Sequence, residues 1–217
     1  MGFLDSIFGG KSKLSGPAPD RLFAMTTAQV HLETALGLKH RQTAGIVFQA
    51  LGTADFSAIM AEAEQLLRGT AEETGTLLHS SDDEFGYRWL VLEDPDFEDL
   101  VVSLNTVSSE LQDGGYGDRL LACVFAFEER DDRAQPAEPA ASPRDDRAQP
   151  AEPAASPEGR TVYLIYNFKR GAFYPFVPAG EKSRDTEREL RLKAQIGSEL
   201  PIEADTARWF PLWEIPL

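Results

Sequence analysis

The sequence predicts a single α+β domain with a ferredoxin-like βαββαβ core. Two stretches repeat apolar residues at helical spacing, and several short runs have the composition of β-strands. Along residues 45–127 these segments follow in the order strand, helix, strand, strand, helix, strand. We expect an antiparallel sheet that is extended by an extra hairpin and followed by a C-terminal helix. A chain of 217 residues is long enough to bury one sizeable core.

Two core helices are predicted from apolar residues that recur at helical spacing. Asp55 and Asp96 are the expected N-caps of these helices, and Gly69 and Gly114 are the expected stops. Residues 185–196 predict a further, charge-rich helix. The first apolar stripe consists of Phe56, Ile59, Met60, Ala63 and Leu67. The second stripe consists of Phe97, Leu100, Val101, Leu104, Val107 and Leu111.

The strand predictions rest on short apolar runs. The two longest runs, 120–127 and 162–168, are apolar at successive positions, which is typical of interior strands covered on both faces. We expect these two strands to pair as an antiparallel hairpin. Residues 173–177 are a candidate for one further strand. Shorter strands are predicted at residues 45–50, 74–80 and 87–92.

The residues between the two hairpin strands are a letter-for-letter tandem duplication. A 14-residue unit is repeated once over residues 130–157. The unit is rich in proline, alanine and charged residues, so it cannot bury enough apolar surface to offset the entropy of ordering. We therefore predict a disordered tandem-repeat loop there. It would be inserted into a single domain that comprises residues 19–129 and 158–217, after an N-terminal arm at residues 1–18.

The net negative charge of the chain arises in one block. The formal net charge is −15, and residues 54–129 carry all of it, with eighteen acidic residues against three arginines. Because phosphate contacts require clustered lysine and arginine, we expect no nucleic-acid partner. The block is either a solvated surface or a face that meets a basic partner, and solvated surfaces are the more common of the two.

Cysteine usage and hydropathy indicate a cytoplasmic protein. The single cysteine, Cys123, lies inside an apolar run, so we predict no disulfide. The first eight residues have neither the basic segment nor the long apolar segment of a secretory signal. The longest apolar run, 120–127, is far shorter than a membrane span.

No residue pattern in the sequence points to catalysis. His31, His40 and His79 are not at metal-ligand spacing, and Cys123 is expected to act as a small buried hydrophobe. The glycines at 114–117 follow a helix and precede a strand, so they indicate a helix end and not a phosphate cradle. We expect a non-enzymatic protein that holds no metal and no cofactor.

Aromatic residues and prolines are concentrated at residues 169–178 and 208–213. Such rings either form a partner-binding surface or belong to the core, which is the commoner outcome in a small domain. Lys169 and Arg170 are expected to be solvated at a hairpin turn with Gly171. The candidate partner-binding residues are Phe173, Tyr174, Phe176, Trp209 and Trp213.

The first residues of the chain predict a short amphipathic helix. Phe3, Leu4, Ile7 and Phe8 share one helical face, and lysines follow at positions 11 and 13. This face is a candidate for peripheral contact with an anionic membrane surface or with a partner helix. A frayed tail, or a staple folded onto the chain's own domain, is the alternative.

Five short motifs, taken in order, resemble the PspA-associated protein family PspAB. The resemblance spans nearly the whole chain apart from residues 130–157. Each motif alone is common, and their order over the full length is the more specific feature. The motifs are residues 1–5 (MGFLD), 85–91 (FGYRWLV), 169–176 (KRGAFYPF), 200–201 (LP) and 208–213 (RWFPLW).

The resemblance implies an accessory or adaptor protein of a phage-shock-type envelope-stress response. Its expected partner is a PspA-type protein, a helical coiled coil that remodels membranes, or another stress-response protein. The implied location is the cytoplasm, with peripheral contact at the inner face of the membrane. The resemblance supplies no active-site residues that could be assigned to this sequence, which agrees with the absence of a catalytic motif.

Two other functions stay open. Small α+β modules such as YbjN and the type III secretion chaperones bind extended peptides, and this comparison is a fold-level analogy alone. An apolar groove lined by exposed aromatic rings would favour peptide binding, and full burial of the rings would count against it. The second open function is peripheral membrane binding through the N-terminal arm.

Overall fold

The structure, a computed structural model, describes residues 19–83, 86–129 and 159–217. The described residues form a six-stranded antiparallel sheet and four α-helices. The predicted N-terminal arm and the predicted tandem-repeat loop lie outside the described residues. The elements are α1 (Ala24–Leu36), β1 (Leu38–Gln49), α2 (Ala54–Thr74), β2 (Leu77–Asp82), β3 (Tyr87–Glu93), α3 (Phe97–Asp113), β4 (Leu120–Glu129), β5 (Arg160–Asn167), β6 (Ala172–Phe176) and α4 (Thr186–Ile196).

The strands lie side by side in the order β2-β3-β1-β4-β5-β6, and each neighbouring pair is antiparallel. Helix α2 connects β1 to β2, and α3 connects β3 to β4. The mixed helix and strand class is confirmed, as is the hairpin of β4 and β5, in which Phe127 faces Val162. The ferredoxin-like assignment of the first four strands stays a prediction.

Several element boundaries differ from the prediction. The stop at Gly69 is wrong, because α2 continues to Thr74 and ends before Gly75, whose φ of +83° provides the left-handed turn. Gly69 has open space around it, so nothing forces the helix to end there. Strand β1 begins at Leu38, seven residues earlier than predicted, since its first half is largely polar and exposed. Helix α1 was not predicted, and its buried side consists of Met25, Ala28 and Leu32.

The N-cap predicted at Asp96 is confirmed, whereas the one predicted at Asp55 is wrong, because Asp55 lies inside α2 and Thr53 takes the capping position. The Asp96 carboxylate accepts a hydrogen bond from the Glu98 N–H at 2.9 Å. The Asp185 carboxylate accepts one from the Arg188 N–H, also at 2.9 Å. Each cap satisfies a backbone donor that has no partner within the first helical turn. Helix α3 ends at Asp113, directly before the predicted stop at Gly114.

The main core lies between the helices and one face of the sheet. Buried residues from all four helices contribute to it. The Phe97 ring at the start of α3 lies 5.6 Å from the Phe125 ring and 5.8 Å from the Phe127 ring of β4, measured between centroids. The predicted apolar stripes of α2 and α3 face this core, and Ile59 packs against it while remaining partly exposed.

The opposite face of the sheet, called the second face here, has an apolar cluster of its own. It includes Val47, Trp89, Val124 and Ile165, and residues 209–217 pack over it in an irregular conformation. Both faces of β4 are therefore covered, which explains why its apolar residues do not alternate with polar ones. None of the described helices is long and apolar enough to cross a membrane.

Candidate partner-binding surface

The predicted aromatic residues of β6 point to both faces of the sheet. Phe173 belongs to the main core, where its ring lies 4.8 Å from the Tyr166 ring. Tyr174 and Phe176 belong to the second face. All three side chains are at most 2% exposed. Strand β6 therefore contributes its rings to packing on both faces of the sheet, and none of the three rings is free to contact a partner.

Trp209 fixes the chain where it crosses onto the second face. Its indole stacks on the Tyr174 ring at 6.4 Å, and its Nε1 donates a hydrogen bond to the Glu203 carbonyl at 3.0 Å. Lys193 Nζ also lies over the indole, 5.5 Å from the ring centroid. With 4% of its surface exposed, Trp209 is a packing residue.

A buried ion pair holds the same region together. Arg184 lies 2.6 Å from the fully buried carboxylate of Glu189, and it also donates a hydrogen bond to the Trp209 carbonyl at 2.7 Å. Glu189 accepts a second hydrogen bond from the Val177 N–H at 2.9 Å. Together these contacts join β6, α4 and the start of the segment that covers the second face.

A second ion pair, Arg170–Glu203, closes the β5–β6 turn against the chain after α4. The two side chains are 2.7 Å apart, and Arg170 is half-buried where the prediction had it solvated; Lys169 is exposed as predicted. Burial acts to raise the pKa of Glu203, but hydrogen bonds from Arg170 and from the Asp205 N–H outweigh it and hold that pKa below its ordinary value. Glu203 is therefore held as a carboxylate.

Residues 210–217, called the closing segment here, cover the second face by side-chain packing. Four half-buried apolar residues point onto the cluster below. The Trp213 ring meets the Phe176 ring edge-on at 5.3 Å, and the Tyr174 hydroxyl donates to the Phe210 carbonyl at 2.9 Å. Phe210 itself is 59% exposed. The four packing residues are Leu212, Trp213, Ile215 and Leu217.

Trp213 is the one predicted binding residue of the five that reaches the surface. It lies between two grooves. One groove, of about 260 Å³, runs toward β2 and is called the acidic groove here. The other, of about 210 Å³, runs toward β6 and the turn near Lys182. The acidic groove is lined by Ser81, Asp82, Asp83, Trp89, Trp213, Glu214 and Pro216.

The remaining sequence candidates have structural roles. Cys123 is fully buried, and burial raises the pKa of its thiol, which suits a hydrophobe and not a nucleophile. In His40, burial lowers the pKa of the imidazole, because it disfavours the charged form. The candidate membrane-contacting residues Phe3, Leu4, Ile7 and Phe8 lie outside the described residues.

The residues that hold the closing segment in place were not predicted from the sequence, although the spacing of Glu189 along α4 indicates its burial. Glu189, Leu192 and Ile196 occupy one side of α4 at helical spacing and are all buried. A carboxylate on an otherwise apolar stripe indicates a buried ion pair, because an isolated charge is too costly to desolvate. Its partner, Arg184, precedes the helix and could not be assigned by spacing.

Comparison with protein families identifies the chain. A family model described as PspAB, PspA associated protein B, matches residues 1–217. The chain belongs to the PspAB family. The family name states an association with PspA, and PspAB membership is consistent with an accessory role related to PspA. Searches of the curated proteins and of the solved structures gave no match.

Proposed function

We propose that this PspAB-family protein is a non-enzymatic adaptor of a PspA-type membrane-stress response, and that it acts by binding another protein. The observation that carries the proposal is the family match over residues 1–217. The partner would be a PspA-type coiled-coil protein in a phage-shock-type system, met in the cytoplasm or at the inner face of the membrane. The fixed packing of the second face supports a binding role, since a rigid scaffold keeps a surface preorganised.

The contact surface that we assign to this function is the region around Trp213. Trp213 is half-buried between two grooves, and exposed Phe210 lies three residues away. Amphipathic indole side chains on a fixed base are frequent energetic centres of protein interfaces. The buried rings of Phe173, Tyr174, Phe176 and Trp209 support this surface from below. Their burial removes the observation that would have favoured a peptide-binding chaperone groove.

A co-purification assay tests both parts of the proposal. A purified PspA-type protein is expected to retain the full chain, and Trp213→Ala is expected to weaken retention at least tenfold. Val30→Ala is the matched control, because Val30 is an exposed apolar residue on α1. Failure of the wild-type chain to bind would contradict the adaptor function. Equal binding by the wild type and Trp213→Ala would contradict the assigned surface alone.

The N-terminal arm provides a separate test of membrane contact. If Phe3, Leu4, Ile7 and Phe8 insert into an anionic surface, the full chain will sediment with liposomes that contain phosphatidylglycerol. A chain without residues 1–13 will then stay in the supernatant. Equal sedimentation of the two chains would eliminate this mode of membrane binding and would leave the adaptor function unaffected.

A further inference from the structure

The two edges of the described sheet differ in whether other parts of the chain cover their outward backbone groups. At the β6 edge, the Phe173 N–H donates to the Pro201 carbonyl and the Phe173 carbonyl accepts from the Glu203 N–H, each at 2.8 Å. The Val177 carbonyl, just beyond β6, accepts from the Asp185 N–H, also at 2.8 Å. The chain before and after α4 thus covers this edge. At the other edge, the sheet order places no described strand beyond β2.

The β2 edge presents regular backbone groups to solvent. Asp83 hydrogen-bonds toward β3 through its N–H, and antiparallel pairing alternates along a strand. The N–H and C=O groups of Leu78, Ser80 and Asp82 therefore point away from the sheet. Five of the six β2 residues are exposed, and Leu77 keeps 55% of its surface exposed. The strand also lacks proline and lysine, the residues that commonly block such edges.

The acidic groove lies directly beside this edge. Ser81 and Asp82 of β2 form one wall, and Trp213 and Glu214 of the closing segment form the other. Three of the lining residues are acidic, namely Asp82, Asp83 and Glu214. Asp82 is paired with Arg88 at 2.8 Å, and Asp83 accepts hydrogen bonds from the Tyr87 N–H and from the Trp89 indole N–H. The two indoles of Trp89 and Trp213 complete the groove.

This lining selects a cationic side chain. Carboxylates attract lysine and arginine, and the half-buried Trp213 indole can bind the same cations through its π-electrons, whereas Trp89 is buried. A second copy of this chain is a poor occupant, because each copy carries a net charge of −15 and two β2 edges would bring Asp82 and Asp83 against the same acids. The occupant that fits is an extended segment of another protein with lysine or arginine.

We propose that β2 is a docking edge at which a basic, extended segment of a partner protein adds as a seventh strand and places a lysine or arginine side chain in the acidic groove. Main-chain hydrogen bonds to Leu78, Ser80 and Asp82 provide affinity, and the groove provides selectivity. The proposal rests on the proposed function only in taking another protein as the occupant, and it does not depend on that protein being PspA.

Backbone amide exchange in the free, full-length chain is the first test. Leu78, Ser80 and Asp82 are expected to exchange fast, and His79 and Ser81 to exchange slowly, because only the latter two donate to β3. Slow exchange at all five amides would show that the edge is already covered and would overturn the proposal. This measurement needs no variant, so it cannot be confused with a loss of folding.

Peptide binding, followed by fluorescence anisotropy, is the second test. The probe is a labelled ten-residue peptide of alternating valine and lysine, and the control peptide replaces lysine with glutamate. The lysine peptide is expected to bind at least tenfold tighter and to slow exchange at the three outward amides. Ser80→Pro removes one outward N–H without breaking the ladder to β3, so it should reduce affinity at least tenfold. Ser80→Ala keeps that N–H and should bind like the wild type.

Two further variants test the role of charge, and the oligomeric state of the chain tests self-association at the edge. Glu214→Gln is expected to weaken binding of the lysine peptide severalfold, and Glu199→Gln, an exposed carboxylate outside the groove, is the matched control. Equal binding by Ser80→Pro and Ser80→Ala, in variants with unchanged circular dichroism, would overturn strand addition. A dimer that protects the three outward amides and dissociates in Ser80→Pro would assign the edge to a second copy and overturn the basic-segment proposal. None of these measurements uses a PspA-type protein. A negative result would therefore contradict the docking edge and leave the proposed function unaffected.

Discussion

Arg184 and Glu189 form an ion pair at 2.6 Å in which the carboxylate is fully buried, and Arg184 also binds the Trp209 carbonyl. This one guanidinium therefore connects the N-terminal half of α4 to the chain that covers the second face of the sheet. The Arg184 guanidinium also lies 5.5 Å from the centroid of the Phe176 ring. The position of Trp213, and with it the candidate binding surface, depends on this connection.

Replacement of Glu189 by alanine is expected to lower the free energy of unfolding by about 3 kcal/mol, because it leaves the largely buried Arg184 guanidinium without its carboxylate partner. Urea denaturation at neutral pH measures the change. Glu187→Ala is the control, since Glu187 forms an exposed ion pair with Arg191 on the same helix. That pair is expected to contribute about 1 kcal/mol or less. Equal losses in both variants would contradict the role of the buried pair.

Glu203 predicts a pH dependence of stability. Its pKa is lower in the folded chain than in the unfolded chain, so the folded state favours the carboxylate. The resulting stabilisation is present above the ordinary pKa of about 4.5 and is lost as the pH falls through the folded-state pKa. The difference in unfolding free energy between wild type and Glu203→Gln should therefore shrink on acidification. Urea denaturation at several pH values tests this, with Glu199→Gln as control, and a difference that grows on acidification would contradict it.

Two glycines are expected to respond to alanine with opposite signs. Gly171 has φ of +60°, and a Cβ there would lie 3.0 Å from the Arg21 guanidinium, so Gly171→Ala should lower the free energy of unfolding by about 1–2 kcal/mol. Gly69 lies within α2 with open space around it, and Gly69→Ala should raise that free energy by about 0.5–1 kcal/mol. Urea denaturation of both variants provides the measurement. A stabilising Gly171→Ala would contradict the turn assignment.

The burial of Cys123 predicts an inert thiol. Because it is the single cysteine of the chain, its reaction with a disulfide reagent can be followed without interference. The native protein should react at least a hundredfold more slowly than the protein in denaturant, since burial both blocks access and raises the thiol pKa. Fast reaction of the native protein would place the thiol outside the core.

The three tryptophans should differ in their access to a collisional quencher. Trp89 and Trp209 are each 4% exposed, whereas Trp213 is half-buried beside the grooves. Trp213→Phe is therefore expected to remove most of the fluorescence that acrylamide quenches. Trp209→Phe, the matched control, should leave that fraction nearly unchanged. A larger effect in the control would contradict the arrangement of the closing segment.

Local patterns were sufficient for much of the fold. The apolar stripes of α2 and α3, the cap at Asp96 and the two-sided apolarity of β4 are each properties of a few neighbouring residues, and the structure confirms them. The polar half of β1 and the sparse apolar side of α1 gave no comparable signal. Family membership also followed from the sequence, because it depends on the order of motifs along the whole chain.

The sequence alone determined the helical stripes, the strand composition, the acidic block and the family. Only the tertiary structure decided which aromatic rings are buried, that Arg184 reaches Glu189 and Trp209, and that Trp213 lies between two grooves. The physical reason is the range of the interactions. Helical periodicity and capping act over a few residues and can therefore be recognised in the sequence. The faces of β6 and the course of the closing segment depend on contacts between residues far apart along the chain, which local spacing does not record.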